Sequence, residues 1–125
     1  MPTTTHTPTG QYPEPAPAHL IDIEAEADRL FEALPTGGRR TQTIAREGGV
    51  SLVLMAIEGG DAVREHSTPG ATTVTAIRGH VVVTSGGQTM DLRPGQLVLF
   101  QPGIRHDLRA QEQSVVLLTI SGGEE

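Results

Sequence analysis

Histidines flank a run of β-forming residues in the segment REHSTPGATTVTAIRGH, which spans residues 64–80. His66 precedes a Pro-Gly pair, His80 closes the segment, and a further histidine, His106, follows later in the chain. Imidazole nitrogens bind divalent transition metals, and a neutral imidazole also accepts protons near neutral pH. These side chains are therefore candidates for a metal centre or for acid–base chemistry, depending on which of them the fold brings together.

The composition limits the classes of protein to which the chain can belong. Its 125 residues suit one domain with a single core, and the absence of cysteine excludes disulfides and thiolate zinc sites. Fifteen acidic residues against nine basic ones give a net charge of −6, which argues against a nucleic-acid partner. No stretch resembles a signal peptide or a membrane span. We therefore expect a cytoplasmic protein that binds neither nucleic acid nor membranes.

The first part of the chain divides into an arm and a helix. Residues 1–19 are rich in Thr and Pro, which predicts a disordered arm. Residues 20–38 predict an amphipathic helix and a linker, with Asp22 as the N-cap and with Pro35 and the glycines after it ending the helix. The helix has one apolar stripe, expected to pack against the rest of the domain or a partner subunit, formed by Ile23, Ala27, Leu30 and Leu34.

Residues 39–121 predict a small all-β domain, because each apolar run there is short, β-branched and closed by Gly or Pro. The expected strands cover residues 40–47, 50–58, 72–78, 80–85, 88–92, 97–100, 105–109 and 114–120. Pro69 and Gly70 at the centre of the segment 68–71 predict a type II turn. So many short strands favour a closed barrel or a two-sheet jelly roll, followed by a flexible tail over residues 122–125.

The glycines and histidines of this region resemble the two sequence motifs of the cupin family. The matching positions are Gly60, His66 and Gly79 in the first motif and Gly95, Gly103 and His106 in the second. The resemblance extends over most of the β region. It implies an all-β fold, a cupin-type double-stranded β-helix or jelly-roll barrel, here with one N-terminal α-helix.

The departures from the motifs concern the metal ligands. In metal-binding cupins, two histidines and a glutamate of the first motif and a histidine of the second hold the ion. Here Thr68 stands at the second histidine position and Thr72 at the glutamate position. Hydroxyls are poor substitutes for imidazole and carboxylate, so a metal-free pocket is the preferred interpretation. The alternative is a divalent transition metal held by His66 and His106, with His80 as a third ligand.

The alternation of side chains along a strand predicts which residues face the barrel interior. If His66 faces inwards, Arg64 and Thr68 share its face and Glu65 points away, while Leu108 and Ile104 accompany His106. Aromatic residues are scarce, so the pocket is expected to be aliphatic and lined by hydroxyls. The predicted ligand pocket consists of Arg64, His66, Thr68, Thr72 and His106.

These residues support a cupin-domain protein that binds a small polar or acidic ligand near His66 and His106. One alternative is a cupin enzyme, either a metal-dependent oxygenase or isomerase or a metal-free catalyst that uses a histidine as acid and base. Another is a non-catalytic dimeric scaffold or regulatory module. We expect a homodimer formed through the strands before residue 60, since VSLVLMAI is apolar on both faces, as a strand buried between sheet and partner would be.

Overall fold

A computed structural model describes residues 18–34 and 38–122 of the protein, with all side chains in these ranges except those of Glu65 and His66. The chain forms one helix followed by strands. The elements, in chain order, are α1 (Ile23–Glu32), β1 (Arg39–Glu47), β2 (Val50–Ile57), β3 (Ala62–His66), β4 (Thr72–Arg78), β5 (Val81–Ser85), β6 (Gln88–Leu92), β7 (Leu97–Phe100), β8 (His106–Ala110) and β9 (Ser114–Ser121).

The strands form two antiparallel sheets that enclose the core. The larger sheet has the order β1-β2-β9-β4-β7 and the smaller one the order β3-β8-β5-β6. Every predicted strand is present with its ends within one residue of the prediction. The prediction of an all-β fold with one N-terminal helix is therefore confirmed. Among the described strands only β3 was missed, because its two apolar residues are followed by the adjacent charged residues Arg64 and Glu65 and form no apolar run.

Apolar side chains from both sheets fill the space between them. This core contains Met55, Ile57, Val74, Ala76, Val81, Val83, Leu92, Phe100, Leu108, Ala110 and Val116. Only one face of β4 and of β8 is turned toward this core, and buried residues therefore alternate along both strands. The two sheets thus form a barrel whose interior is mainly aliphatic.

β2 is apolar on both faces because the helix covers its outer face. Met55 and Ile57 belong to the barrel core, whereas Leu54 and Ala56 pack with Ala27 and Leu30 of α1. The expectation that a partner subunit covers this second face is wrong for the helix-covered part of β2. A segment of the same chain provides the cover.

The helix begins and docks as the sequence predicted. The side chain of Asp22 accepts a hydrogen bond from the backbone N–H of Ala25 at 3.1 Å, which confirms the N-cap. Arg78 on β4 ties the exposed side of the helix to the sheet by donating to Glu24 and to Asp28, the latter at 2.8 Å. The expected stop signal at residues 35–37 lies outside the described residues, and the helix ends before it, at Glu32.

Gly70 does not form the predicted type II turn. Such a turn needs a positive φ at its third residue, and Gly70 lacks one. Glycine is required there for another reason, because a Cβ on Gly70 would overlap the carbonyl oxygen of Ser121 on β9. The loop after β3 therefore lies directly against the backbone of the larger sheet.

The predicted arm and tail fall largely outside the described residues. Within the arm, His19 is described, and its Nε2 lies 2.8 Å from the carboxylate of Glu47 at the end of β1. This contact places the start of the described chain beside the larger sheet. No helix in the described part of the chain is long and apolar enough to cross a membrane.

Candidate functional site

A cavity of about 160 Å³ lies between the two sheets. Five of its lining residues come from the larger sheet and three from the smaller one, and most of them are aliphatic. The lining consists of Arg39, Thr41, Met55, Val74 and Leu118 from the larger sheet and Val63, His106 and Leu108 from the smaller. The barrel therefore contains a pocket with apolar walls and a few polar groups, which is the usual composition of a small-molecule site.

His106 is the imidazole in the wall of this cavity. It opens β8, and it is only 4% exposed. Its Nδ1 lies 3.2 Å from the carbonyl oxygen of Ile104 and donates to it, since a carbonyl only accepts. In the neutral ring Nε2 consequently carries the lone pair. The ring also stacks on Phe100, with centroids 4.1 Å apart, so its orientation is fixed by two contacts.

A bulge in β3 decides which of its residues reach the cavity. Val63 pairs with Leu108 and His66 pairs with His106, so three steps along β3 match two steps along β8. This extra residue shifts the alternation. Val63 lines the cavity as a result, whereas Arg64, which simple alternation places inwards, is exposed and does not line it.

Positions 66 and 106 are direct cross-strand partners in the backbone register. The structure therefore brings together the two motif histidine positions that the sequence singled out. The side chain of His66 is not described, so this pairing concerns only the backbones of β3 and β8.

The two threonines at the motif ligand positions bond to each other. Thr68 and Thr72 have hydroxyl oxygens 2.6 Å apart, and Thr68 also donates to the carbonyl of Gly70 at 2.8 Å. A hydroxyl has one hydrogen, so Thr72 must donate to Thr68. Thr72 is buried on the inward face of β4, but neither threonine lines the cavity. The pocket hydroxyl comes instead from Thr41 on β1.

His80 lies far from His106. The β5–β8 register pairs Thr84 with Asp107, and the carbonyl of His80 accepts from the backbone N–H of Gln111. These contacts put His80 about 17 Å along the ladder from His106 at the usual rise per residue. Its Nε2 lies 2.7 Å from Asp91 on the neighbouring strand. The structure thus does not bring the expected third imidazole to the site.

The described donors do not fit a metal centre. Among the described side chains, no group of three or more histidines or carboxylates converges on one point. At the described motif positions there is one imidazole, His106, and two hydroxyls that already bond to each other. A transition-metal site needs a larger set of strong donors, so we derive no chemistry through a metal.

Arg39 is the charged residue among the cavity-lining residues that the sequence analysis missed. It pairs with Ile57 across the β1–β2 ladder, and Ile57 faces the barrel core, so Arg39 lies on the inner face of β1. Its Nη1 donates to the carboxylate of Asp61 at 3.0 Å and to the carbonyl of Ala62 at 3.1 Å. Alternation along β1 places Arg39 and Thr41 on one face, but only the pairing of β1 with β2 shows that this face is the inner one.

A second, more open cleft of about 230 Å³ also has His106 among its lining residues. Its walls are about equally polar and apolar and come from the β5–β6 turn and the start of β8, namely Thr84, Ser85, Gly86, Gly87, Arg105, His106 and Asp107. His106 therefore belongs to the lining of both the interior cavity and this cleft.

Comparisons with known proteins identify the fold. A family model described as the cupin domain matches residues 53–121. A comparison with curated protein sequences finds no match.

Solved structures with this fold resemble the whole described domain. A conserved protein of unknown function from Streptococcus pyogenes matches with a TM-score of 0.70 and 21% identity, over 97% of this chain and 100% of that one. A cupin superfamily protein from Desulfitobacterium hafniense matches with a TM-score of 0.67 and 17% identity, over 92% and 98% of the two chains. A salicylate 1,2-dioxygenase variant from Pseudoaminobacter salicylatoxidans matches with a TM-score of 0.70 and 16% identity, over 81% of this chain and 34% of that one. At these identities the likeness concerns the fold, and it assigns no activity.

Proposed function

The chain belongs to the cupin family, and from that premise we propose that it binds a small molecule inside its barrel, in the cavity beside His106. The observation that carries this proposal is the cavity itself, which both sheets line and which has a fixed imidazole in its wall. A protein interior is normally packed with few voids larger than a water molecule. A cavity of about 160 Å³ is of the size that holds a benzene-sized molecule in other proteins.

The lining defines the kind of molecule that fits. Met55, Val74 and Leu118 offer an apolar surface, so the body of the ligand must be short and apolar. Thr41 offers a hydroxyl, and Nε2 of the neutral His106 ring accepts a hydrogen bond. The ligand is therefore small and amphipathic, with polar groups that reach toward one or both of these side chains.

The test uses one substitution that fills the cavity and one that does not. Leu118→Phe adds volume inside the barrel, whereas Leu97→Phe makes the same change at a residue that is 56% exposed on β7. Small organic acids, amides and alcohols are titrated into labelled protein, and amide and methyl shifts are followed by NMR. We expect probes that shift Leu108 and Val74 to bind the parent and Leu97→Phe but not Leu118→Phe. Equal binding to all three proteins, or no binding to the parent at millimolar concentration, would contradict the proposal.

The hydrogen bond of His106 favours a second candidate function, metal-free acid–base catalysis. Donation from Nδ1 to the carbonyl of Ile104 fixes the tautomer, so Nε2 of the neutral ring is the atom that accepts a proton. The expected reaction class is removal of a proton next to a carbonyl. Deuterium exchange into a small bound ketone would be faster than in buffer and would return to the buffer rate in His106→Gln. Exchange at the buffer rate with the parent protein rules this candidate out.

We also propose that the protein forms a homodimer through the N-terminal strands. β1 lies at the end of the larger sheet and pairs, among the described strands, only with β2. A strand with one unpaired side is a template for pairing with another chain. Light scattering is expected to give twice the mass of the chain at micromolar concentration, and the mass of a monomer at high concentration would contradict the proposal.

A further inference from the structure

We propose that Arg39 recognises the ligand of the barrel cavity and that this ligand is a small carboxylate with a short apolar body. The inference deepens the proposed function and rests on it. It follows from the position of Arg39 on the inner face of the barrel, from the hydrogen bonds that the guanidinium makes, and from the lining around it.

The register of β1 places Arg39 inside the barrel and its neighbour outside. Arg39 pairs with Ile57 of the barrel core, and Arg40 pairs with Ala56, which packs against the helix side of the sheet. The two arginines therefore lie on opposite faces of the same strand. Among the described side chains that line the cavity, Arg39 is the only charged one.

The guanidinium of Arg39 uses only one of its nitrogens within the described protein. Nη1 donates both to the carboxylate of Asp61 and to the carbonyl of Ala62, whereas Nε and Nη2 donate to no described residue. Nε and Nη2 carry three N–H groups, and they lie along one side of the planar group. This side matches the two oxygens of a carboxylate, which an arginine binds through two parallel hydrogen bonds.

Asp61 holds the guanidinium in place without occupying that side. The Nη1–Asp61 distance is 3.0 Å, and the two side chains are 43% and 22% exposed, so the pair lies where the cavity meets solvent. Anchoring at Nη1 reduces the rotamer freedom that Arg39 would otherwise lose when it binds a ligand. Asp61 is a positioning residue in this arrangement, and Arg39 is the residue that contacts the ligand.

The rest of the lining decides which carboxylates fit. Met55, Val63 and Leu108 form apolar walls beyond Arg39, and none of them can pair with a second charge. Nε2 of the neutral His106 ring accepts rather than donates, so a dicarboxylate would bury an unpaired anion there, whereas a monocarboxylate with a branched aliphatic or single-ring body would bring no second charge inside. The site consequently selects monoanions over neutral molecules and over amines.

The experiment compares acids with their amides, which have the same shape but no charge. Isovalerate and isovaleramide form one matched pair, and benzoate and benzamide form another. Dissociation constants are measured by NMR titration with the full chain, for the parent, Arg39→Gln and Arg40→Gln. Arg40→Gln removes the same charge from the outer face, so it controls for the general electrostatic attraction of anions.

We expect the parent to bind each acid about tenfold more tightly than its amide, which is the effect of one charge-assisted contact. Arg39→Gln should weaken the acids to the level of the amides and leave the amides unchanged, while Arg40→Gln should change neither. Arg39→Lys keeps the charge but lacks the planar fork, so it should bind acids with an intermediate affinity. Urea denaturation of each variant verifies that it is folded. If Arg39→Gln is unfolded, the affinity of Arg39→Lys for the acids tests the proposal instead.

Different results would contradict the proposal that the cavity binds a ligand and the proposal that Arg39 recognises its carboxylate. Amides that bind the parent as tightly as acids, or equal losses in Arg39→Gln and Arg40→Gln, would overturn the recognition role of Arg39 and leave the cavity as a binding site. If no probe of either kind binds the parent, the cavity proposal fails and this inference fails with it.

Discussion

The rings of His106 and Phe100 are stacked, with centroids 4.1 Å apart and planes 10° from parallel. Phe100 ends β7 in the larger sheet, and His106 begins β8 in the smaller one, so the stack joins the two sheets at one end of the barrel. Phe100 is also the cross-strand partner of Thr72. A single aromatic contact thus connects the site imidazole to the strand that begins with the motif position Thr72.

Replacing Phe100 with leucine tests whether the stack holds His106. Phe100→Leu removes the ring contact and leaves a void in the core, and we expect it to lower the free energy of unfolding by about 1–2 kcal/mol. Urea denaturation measures the loss. Leu99→Ala on the same strand is the control, because Leu99 is 64% exposed and its loss should change stability by less than about 0.5 kcal/mol. A Phe100→Leu variant as stable as the parent would show that the stack contributes nothing.

The sequence predicted the fold well because the strands have strong local signals. Apolar residues at every second position mark β4, and glycine or proline turns separate the predicted strands everywhere except between β8 and β9. The helix was predicted from the Asp22 cap and from the spacing of Ala27 and Leu30, both of which are buried. These signals are local, so they can be read without knowing the tertiary structure.

The site was predicted less well because its residues depend on non-local register. Of the predicted pocket residues whose side chains the structure describes, His106 alone lines the cavity. Because of the bulge in β3, Val63 lines the cavity instead of Arg64, and nothing local in the sequence marks that bulge. The inward position of Arg39 follows from its pairing with Ile57, and the mutual bond of Thr68 and Thr72 depends on how the loop between them folds. Pairing of this kind needs the assembled sheets.

The hydroxyl pair gives a prediction about two similar substitutions. Thr72 donates to Thr68, which itself donates to Gly70. Thr72→Val removes one donor and leaves the bond from Thr68 intact, so it should cost about 1 kcal/mol or less. Thr68→Val leaves the hydroxyl of Thr72, which is 1% exposed, without its acceptor, and should cost about 1–3 kcal/mol. Urea denaturation of the two variants compares them, and an equal or reversed order would contradict the direction of the bond.

Gly70 should be among the least replaceable residues of the loop after β3. A Cβ at this position would overlap the backbone of Ser121, which cannot move without disturbing β9, so Gly70→Ala should cost about 3 kcal/mol or more. Gly48→Ala is the control for backbone strain, since Gly48 has a φ of +58° and nothing within 4 Å of its added Cβ. That change should cost only about 1–2 kcal/mol. Similar thermal midpoints for the two variants would show that the loop shifts at little cost to make room for a Cβ at position 70.

Arg78 should stabilise the docked helix in a way that depends on salt but not on moderately alkaline pH. Its hydrogen bonds to Glu24, and secondarily to Asp28, raise the pKa of the guanidinium above its ordinary value, against a smaller opposing effect of burial. Because the pKa of Arg78 is higher in the folded protein than in the unfolded one, its stabilising effect is complete at pH values below the pKa of the unfolded state. The effect is lost only when the pH rises through the pKa of the folded state. Because a guanidinium is protonated throughout the alkaline range in which proteins are studied, raising its pKa further places that window beyond this range.

We therefore expect Arg78→Gln to lower the free energy of unfolding by about 1 kcal/mol, from the exposed ion pairs and the contact of the guanidinium with the Phe31 ring. The difference between Arg78→Gln and the parent should be the same at pH 7 and pH 9 and should shrink in molar salt, because Glu24 and Asp28 are largely exposed. Arg29→Gln is the matched control, since Arg29 pairs with Glu26 within the helix and does not contact the sheet. A loss for Arg78→Gln that disappears between pH 7 and pH 9, or one no larger than that of Arg29→Gln, would show that the bridge to the sheet does not hold the helix.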